Sequence, residues 1–325
     1  MNFELETKIN EQQIKELGGL IKDAQKILLV GHKNPDGDTI GCLTAMVEYL
    51  KSINKNYAAF SADELPVNLE YLKHSLEIRS DKNIFNHSFD LVICLDTADL
   101  KYSGVEIELN RLKERGVKII NIDHHPSNYG AINIVDDQAS STTVILYDIL
   151  RVWRVVINKD MATSLLAGIL VDTMNFMNSA TNDKSLGLSA KLLQQGAKFN
   201  MVSRQLYQTK TRDGLKLWSR LLKRLKKNDT LNIAYSVILA EDIEEAGTEE
   251  TEGMSNFLSN LAEARISMII KEIRDGEIKV SIRAIDKGAN AAELARYFGG
   301  GGHKKAAGFT IMGRLEQEGE GWRIV

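Results

Sequence analysis

The sequence predicts an α/β protein: an N-terminal, mainly parallel sheet flanked by helices, followed by a smaller C-terminal α+β domain. Three observations carry this. Short apolar runs alternate with helical patterns through the first half, those runs are apolar without interruption, and the texture changes after Asn178. Alternating strands and helices imply βαβ units, and uninterrupted apolar runs mark parallel strands covered on both faces. The 325 residues suit two domains, and 43% hydrophobic with 26% charged residues excludes disordered and fibrous classes.

In chain order, Glu11–Lys22 is a polar helix candidate ahead of the strand-like Ile27–Val30. A turn at Asn34-Pro35-Asp36-Gly37 leads into Thr39–Leu50, apolar at helical spacing. Leu91–Leu95 and Lys118–Ile122 are the next buried-strand runs, the second preceded by the charged segment Glu108–Arg115. Thr142–Arg151 and Met161–Val171 read as helices. From Asp183 to Lys227 the chain is helical and increasingly basic, and its last run, Arg220–Lys227, reads as a solvated connector with an apolar face of Leu221, Leu222 and Leu225. Trp218 and Tyr207 read as packing residues. Strand-like segments return at Leu231–Leu239, Ile266–Ile273 and Glu277–Ala284, the last two joined by the hairpin signal Arg274-Asp275-Gly276. The acidic stretch Glu241–Glu252 reads as a solvated helix, Asn290–Phe298 as a short one, and Phe309–Met312 as a strand after Gly299–Gly302. The expected division is 1–185, a helical connector 186–228, and 229–325.

Lys+Arg 41 against Asp+Glu 44 gives a net charge of −3, without the basic excess used to grip long nucleic acid by charge. Short or chemically specific phosphate ligands remain. Two cysteines, Cys42 and Cys94, fit a reducing compartment. The N-terminal segment lacks a signal-peptide pattern, and no apolar run approaches the roughly 18 residues that span a bilayer. The expected setting is the cytoplasm, with no membrane contact.

Four clusters carry chemistry. Val30 leads into Gly31-His32-Lys33-Asn34-Pro35-Asp36-Gly37-Asp38, Leu95 into Asp96-Thr97-Ala98-Asp99, Ile122 into Asp123-His124-His125-Pro126, and an apolar helix ends in Asp172-Thr173. Taken singly, Asn-Pro-Asp-Gly is a common turn, Asp38 a cap for the helix after it, and Asp96 a turn former. Taken together they change meaning, because the carboxyl ends of strands in open α/β sheets converge on one crevice. Burying like charges without a counter-charge costs several kcal/mol, on the order of 3–5 for one unpaired charge. Asp36, Asp38, Asp96 and Asp172 supply −4, which two divalent ions balance, and His32 and His124 add imidazole nitrogens. Mixed imidazole and carboxylate ligands suit manganese, iron, cobalt or zinc. Paired metals activate water and stabilise phosphoryl charge.

In this order and spacing, Gly31-His32-x-x-Pro35-Asp36-Gly37-Asp38, Asp96-x-x-Asp99, Asp123-His124-His125 and Asp172-Thr173 resemble the DHH phosphoesterase family, which includes RecJ nucleases and family II inorganic pyrophosphatases. Gly299–Gly302 with His303-Lys304-Lys305-Ala306-Ala307-Gly308 resembles the signature of its DHH-associated domain. The length resembles the compact NrnA-like branch, oligoribonucleases (nanoRNases) that also dephosphorylate 3′-phosphoadenosine 5′-phosphate (pAp). The resemblance implies two divalent ions, manganese first, with magnesium, cobalt or iron as alternatives. One would be held by His32, Asp36 and Asp96, the other by Asp38, Asp96, His124 and Asp172. It implies that His125 faces the scissile phosphate, while Asp123 orients the neighbouring histidine. In the second domain it implies that Arg283, Gly300, Gly301, Gly302, His303 and Lys304 bind a distal phosphate. Glycine backbone approaches a ligand closely, and an arginine fork matches phosphate oxygens.

The implied activity is hydrolysis of short oligoribonucleotides to mononucleotides and dephosphorylation of pAp. A pApA or cyclic di-AMP phosphodiesterase is the alternative, and a non-catalytic nucleotide sensor the alternative of another class. Long duplexes are not expected as partners; a homodimer is left open. Val144, where many relatives carry an acidic residue, and Met174-Asn175-Phe176, where a glycine-containing segment is common, depart from the family pattern and bear on substrate preference.

Overall fold

The computed structural model describes residues 9–325 other than 179, 208, 209, 252, 274, 275, 287 and 320, and divides into two units, Met1–Thr209 and Lys210–Val325. In the first unit the elements run α1 (Glu11–Asp23), β1 (Lys26–Val30), α2 (Gly37–Ser52), β2 (Asn56–Phe60), β3 (Ile78–Arg79) and β4 (Leu91–Leu95). They continue through α3 (Glu106–Glu114), β5 (Lys118–Asp123), β6 (Ile132–Val135), α4 (Thr142–Val152), α5 (Lys159–Asp172), α6 (Asp183–Gln194) and α7 (Phe199–Tyr207). Among the described residues the strands form a six-stranded parallel sheet of order β3-β2-β1-β4-β5-β6.

Both faces of this sheet are covered, which is why its central strands read as unbroken apolar runs. Ile27, Leu29, Ile93 and Leu95 join one core with the apolar sides of α1, α2, α4 and α5. Leu28, Val30, Val92 and Cys94 join a second core with Leu109 and Leu112 of α3. Strand order reverses between β1 and β4, so the loops leaving their carboxyl ends part and open a crevice. Against that crevice α2 and α5 approach unusually closely. A Cβ on Gly41 would lie 2.5 Å from the Ser164 carbonyl oxygen, and one on Gly37 2.4 Å from Val171 Cγ2.

The second unit contains α8 (Arg212–Lys223), β7 (Lys226–Asn228), β8 (Ile233–Ile238), α9 (Ala240–Ala246), α10 (Met254–Leu258), β9 (Ile266–Ile273) and β10 (Glu277–Ala284). It closes with α11 (Ala291–Tyr297), β11 (Gly301–Gly302), β12 (Ala306–Met312), β13 (Leu315–Glu318) and β14 (Gly321–Ile324). Its main sheet has the order β11-β12-β10-β9-β8-β7, with β8 and β9 parallel and the other pairs antiparallel; β13 and β14 form a separate hairpin. Of the expected β9–β10 turn, Arg274 and Asp275 lie outside the described residues, and Gly276 takes the left-handed φ of 75°.

Residues 186–228 do not form one connector. Leu188, Leu192 and Val202 of α6 and α7 are buried in the core of the first unit. By contrast, α8 buries Leu217 and Leu221 against Met254, Leu258 and Ile269 of the second, while Leu222 is 42% exposed. The basic run is not simply solvated either, because Arg220 and Arg224 both bond the buried carboxylate of Asp242, Arg220 Nη1 at 3.0 Å. The acidic stretch folds back to meet them. Glu250 is buried at the start of α8, where its Oε1 accepts the Thr211 N–H at 3.0 Å, and Trp218 Nε1 donates to its carbonyl at 3.1 Å. Trp218 is thus a packing residue; the Tyr207 side chain lies outside the described residues. No helix among the described residues is long and apolar enough to cross a membrane.

Candidate metal centre

Three strand ends and one helix end deliver the acidic and imidazole groups. After β1, Asn34 takes φ 53° and Asp36 caps α2, its Oδ1 accepting the N–H groups of Asp38 and Thr39 at 2.9 and 3.1 Å. Asp38 therefore does not cap its own helix. It reaches across to α4, accepting the N–H of Thr142 at 2.6 Å and of Thr143 at 3.0 Å. The positive end of α4 thus holds a fully buried carboxylate by charge-assisted bonds.

Asp96 turns out of β4 at φ 58°, a left-handed conformation that aspartate tolerates better than most residues. Both its oxygens are clamped by hydroxyls: Thr39 Oγ1 donates to Oδ2 at 2.8 Å and Thr142 Oγ1 to Oδ1 at 3.0 Å. His32 Nδ1 lies 2.6 Å from the Lys33 carbonyl oxygen, which fixes Nδ1 as the protonated nitrogen. Its Nε2 then faces Asp36 and Asp96 at 3.8 and 3.5 Å. His124 Nε2 lies 3.7 Å from Asp96 Oδ1 and 3.4 Å from Asp172 Oδ2.

Ligand-capable atoms of His32, Asp36 and Asp96 all lie within 4.8 Å of one another, as do those of Asp38, His124 and Asp172, and those of Asp96, Asp123, His124 and His125. The electrostatics of this gathering are unfavourable as they stand. Burial and mutual repulsion push the Asp38 carboxyl up to about 7 and that of Asp96 to about 6, and raise Asp172 well above the carboxylate range. Asp172 ends α5, where the helix dipole adds further repulsion, and its buried Oδ2 has no hydrogen-bond partner among the described residues. An orphaned buried carboxylate oxygen facing an imidazole nitrogen is what a cation site presents before the cation enters, so the donor set fits divalent metal.

The adjacent histidines are pushed in opposite directions. Burial lowers the pKa of His124, suiting a neutral ligand, while the bond to Asp123 raises that of His125. Asp123 Oδ1 accepts the His125 N–H at 2.7 Å and its Nδ1 at 2.9 Å, and Oδ2 accepts the Ala98 N–H at 2.6 Å. Asp123 thus orients His125. Asp99, on the other hand, is a turn former, accepting the Tyr102 N–H at 2.6 Å. Divergent pKa values at adjacent groups are the usual mark of divided roles.

In the second unit, Arg283 is partly buried on β10, where its Nε donates to Asn256 Oδ1 at 3.0 Å and its Nη1 to the Ile282 carbonyl at 3.1 Å. No carboxylate among the described residues pairs with it, and burial alone lowers its pKa. Arg283 is in register with Ala306, beside the tight turn in which the His303 N–H donates to the Ala306 carbonyl at 2.8 Å. Two of the glycines have a packing reason. A Cβ on Gly300 would lie 2.2 Å from the Gly308 carbonyl oxygen, and one on Gly302 2.6 Å from that of Ala306, whereas Gly301 faces open space. His303 and Lys304 are exposed.

Thr39, Thr142, Thr143, Ala98 and Gly168 complete the site without having been singled out from sequence. The hydroxyl run Ser140-Ser141-Thr142-Thr143 ahead of an apolar helix was the available signal. Gly168 makes room on α5, since a Cβ there would lie 2.3 Å from Asp38 Oδ1 and 2.4 Å from Thr143 Oγ1. Gly168→Ala, which by helix propensity alone would stabilise α5 by about 1 kcal/mol, is instead expected to destabilise by about 1–3 kcal/mol. It should also weaken manganese binding, both read from thermal melts with and without the ion.

A doubly wound sheet that gathers four carboxylates and two imidazole nitrogens at its strand-reversal crevice has the build of a metal-dependent phosphoesterase. Comparison with known proteins narrows this. The DHH family N-terminal domain matches residues 26–169 and the DHHA1 domain residues 231–320. The chain is 30% identical over 291 residues (88% of this chain, 84% of the relative) to the bifunctional oligoribonuclease and PAP phosphatase NrnA of Thermus thermophilus. It is 30% identical over 297 residues (88% and 89%) to the Bacillus subtilis protein of the same name. A solved exopolyphosphatase-related protein from Bacteroides fragilis superimposes with a TM-score of 0.86 at 25% identity, covering 94% of this chain and 92% of that one. The chain belongs to the DHH phosphoesterase family, with a C-terminal DHHA1 domain.

Proposed function

We propose that this protein hydrolyses short oligoribonucleotides to mononucleotides and removes a phosphate from pAp, using two divalent ions, manganese foremost. The observation that carries this reading is the pair of neighbouring ligand clusters, His32/Asp36/Asp96 and Asp38/His124/Asp172, with His124 of the second 3.7 Å from Asp96 of the first. The two relatives named for that pair of activities support it along most of the chain. Ions bound there would supply Lewis-acid charge and activation of water.

The protein's own groups have separate tasks. Asp96, clamped by Thr39 and Thr142, belongs to the first cluster and faces His124 of the second, so its charge would serve both ions. His125, oriented by Asp123, whose hydrogen bond raises its pKa, directs its Nε2 toward an oxygen of the scissile phosphate, where a proton on that nitrogen would stabilise the charge that builds. In the second unit, Arg283 takes a distal phosphate, assisted by His303, Lys304 and the open backbone at Gly301. The buried free thiols of Cys42 and Cys94 fit action in the cytoplasm.

Incubating the manganese-loaded protein with pAp, pApA, cyclic di-AMP, pyrophosphate and RNA of graded length tests the reading. Release of AMP from pAp and of mononucleotides from the shortest RNAs is the expected result. Preference for cyclic di-AMP or pApA would move the assignment to a dinucleotide phosphodiesterase. Tight nucleotide binding without any product would leave a sensor. The role of Arg283 has its own signature. Because a partly buried unpaired guanidinium costs stability, Arg283→Met should leave the melting temperature equal or higher. It should nevertheless raise KM for pAp and dinucleotides by about 10–100-fold, the worth of a charge-assisted bond. An unchanged KM removes Arg283 from the substrate site.

A further inference from the structure

Lys33 and Tyr102 lie on the two loops that part at the strand reversal and have no task in the mechanism above. The Lys33 N–H donates to the Tyr102 carbonyl at 3.0 Å, so the loop after β1 and the loop after β4 are tied at this point. The Tyr102 ring sits against His32, with centroids 4.9 Å apart and planes at 39°. It remains 40% exposed, the one aromatic side chain of the first unit open to that extent among the described residues. Lys33 Nζ stands 5.9 Å from the centre of that ring, the outer limit of a cation–π contact. Although the crevice beside it is rich in carboxylates, none among the described residues comes within ion-pair distance of this ammonium.

An exposed aromatic ring and an uncommitted cation, side by side and against a metal-ligand candidate, match the two ends of a nucleotide. Every nucleobase has a π face, which makes stacking tolerant of sequence, and an unpaired lysine is a point charge for phosphate. We propose that Tyr102 is the base-stacking residue of the cleavage site, and that Lys33 swings from its loose contact with the ring to the phosphate beside the stacked nucleoside. This rests on the phosphoesterase reading and deepens it: the first unit itself selects nucleotides over base-free phosphate esters. With the ring already against His32, a base stacked on it lies beside the cluster that would hold the scissile phosphate.

The test compares Tyr102→Leu, Tyr102→Phe and Lys33→Gln on pApA and on the analogue with its bases removed, with manganese affinity measured separately by titration in the absence of nucleotide. Tyr102→Leu is expected to raise KM for pApA by about 10-fold, to leave the abasic analogue within about twofold, and to leave manganese affinity unchanged. Tyr102→Phe should behave as the parent. Lys33→Gln should raise KM on both substrates, because both keep the phosphate. Equal losses on both substrates with Tyr102→Leu overturn the proposal: with weakened manganese binding the ring merely braces His32, and with intact binding it makes no base contact. No loss on either overturns it as well. If the parent protein cleaves neither substrate, the phosphoesterase reading fails, and the stacking claim is then decided by whether Tyr102→Leu weakens equilibrium binding of pAp about 10-fold.

Discussion

Asp96→Asn leaves a folded protein with no useful activity: kcat/KM on every phosphate ester the parent cleaves falls by at least about 10³, or roughly 4 kcal/mol of transition-state stabilisation. The substitution keeps the shape of the side chain while removing a charge of the His32/Asp36/Asp96 cluster that also faces His124 of the other. It also relieves a repulsion, since Asp96 is one of the charges that raise Asp38 and Asp172. Without metal the variant should therefore melt at or above the parent temperature, and manganese should add little to it. Stability and activity moving in opposite directions separates a functional carboxylate from a structural one, whose loss would lower both. Thr142→Val is the graded companion. It removes the hydroxyl donor to Asp96 Oδ1 while leaving the α4 N–H groups that hold Asp38. A loss of about 10–100-fold in metal affinity is expected, the usual cost of removing a group that orients a ligand. Full activity in Asp96→Asn would remove this carboxylate from the chemistry altogether.

The acidic and imidazole groups were visible in the sequence because each follows a strand-like or helical apolar run, and strand ends converge in this class of sheet. What the sequence hid was how they are held. Thr39 and Thr142 look like ordinary residues of helix first turns, and only the folded chain aims their hydroxyls at Asp96. The α4 N–H groups that bind Asp38 carry no side-chain signal at all. Asp38 itself invited the wrong partner, since a carboxylate near the start of α2 suggests a cap for α2, and Asp36 already fills that place. The same limit operated in the fold. β1, β4 and β5 are central strands and read clearly, whereas β2 has two alanines and a half-buried tyrosine, too weak a pattern to call. The solvated reading of Glu241–Glu252 failed because Asp242 and Glu250 are buried against groups that sequence does not place near them, Arg220 of α8 with Arg224 just beyond it, and the α8 N-terminus.

The metal-free protein should become less stable as pH rises from about 5 to about 7.5, the reverse of what ordinary salt-bridged carboxylates produce. The sign follows from the crowded acids. Asp38 and Asp96 have folded-state pKa values near about 7 and about 6, and Asp172 is also raised, against about 3.9 for aspartate in an unfolded chain. Across this window the folded state keeps protons that the unfolded chain has released, so raising the pH favours unfolding. His125, raised by Asp123, acts in the same direction, while His124, lowered by burial, opposes it as one group against several. The carboxylates paired elsewhere lose their contribution at lower pH: Glu77 beside Lys51 is held near about 2, and Asp242 is held down by its arginines. Divalent metal inverts the balance, because it binds the ionised carboxylates and competes with their protons. At a thousand times its dissociation constant it adds about 4 kcal/mol, so the gain in melting temperature on adding manganese should be small near pH 5 and largest near pH 7.5. The shift should appear in the transition of the first unit, with the second unit of the same chain serving as the reference. Melts at several pH values, in chelator and in manganese, measure both slopes. A chelated protein whose first transition stays level over this range would mean that the acids do not crowd one another, and the case for a shared cation site would go with it.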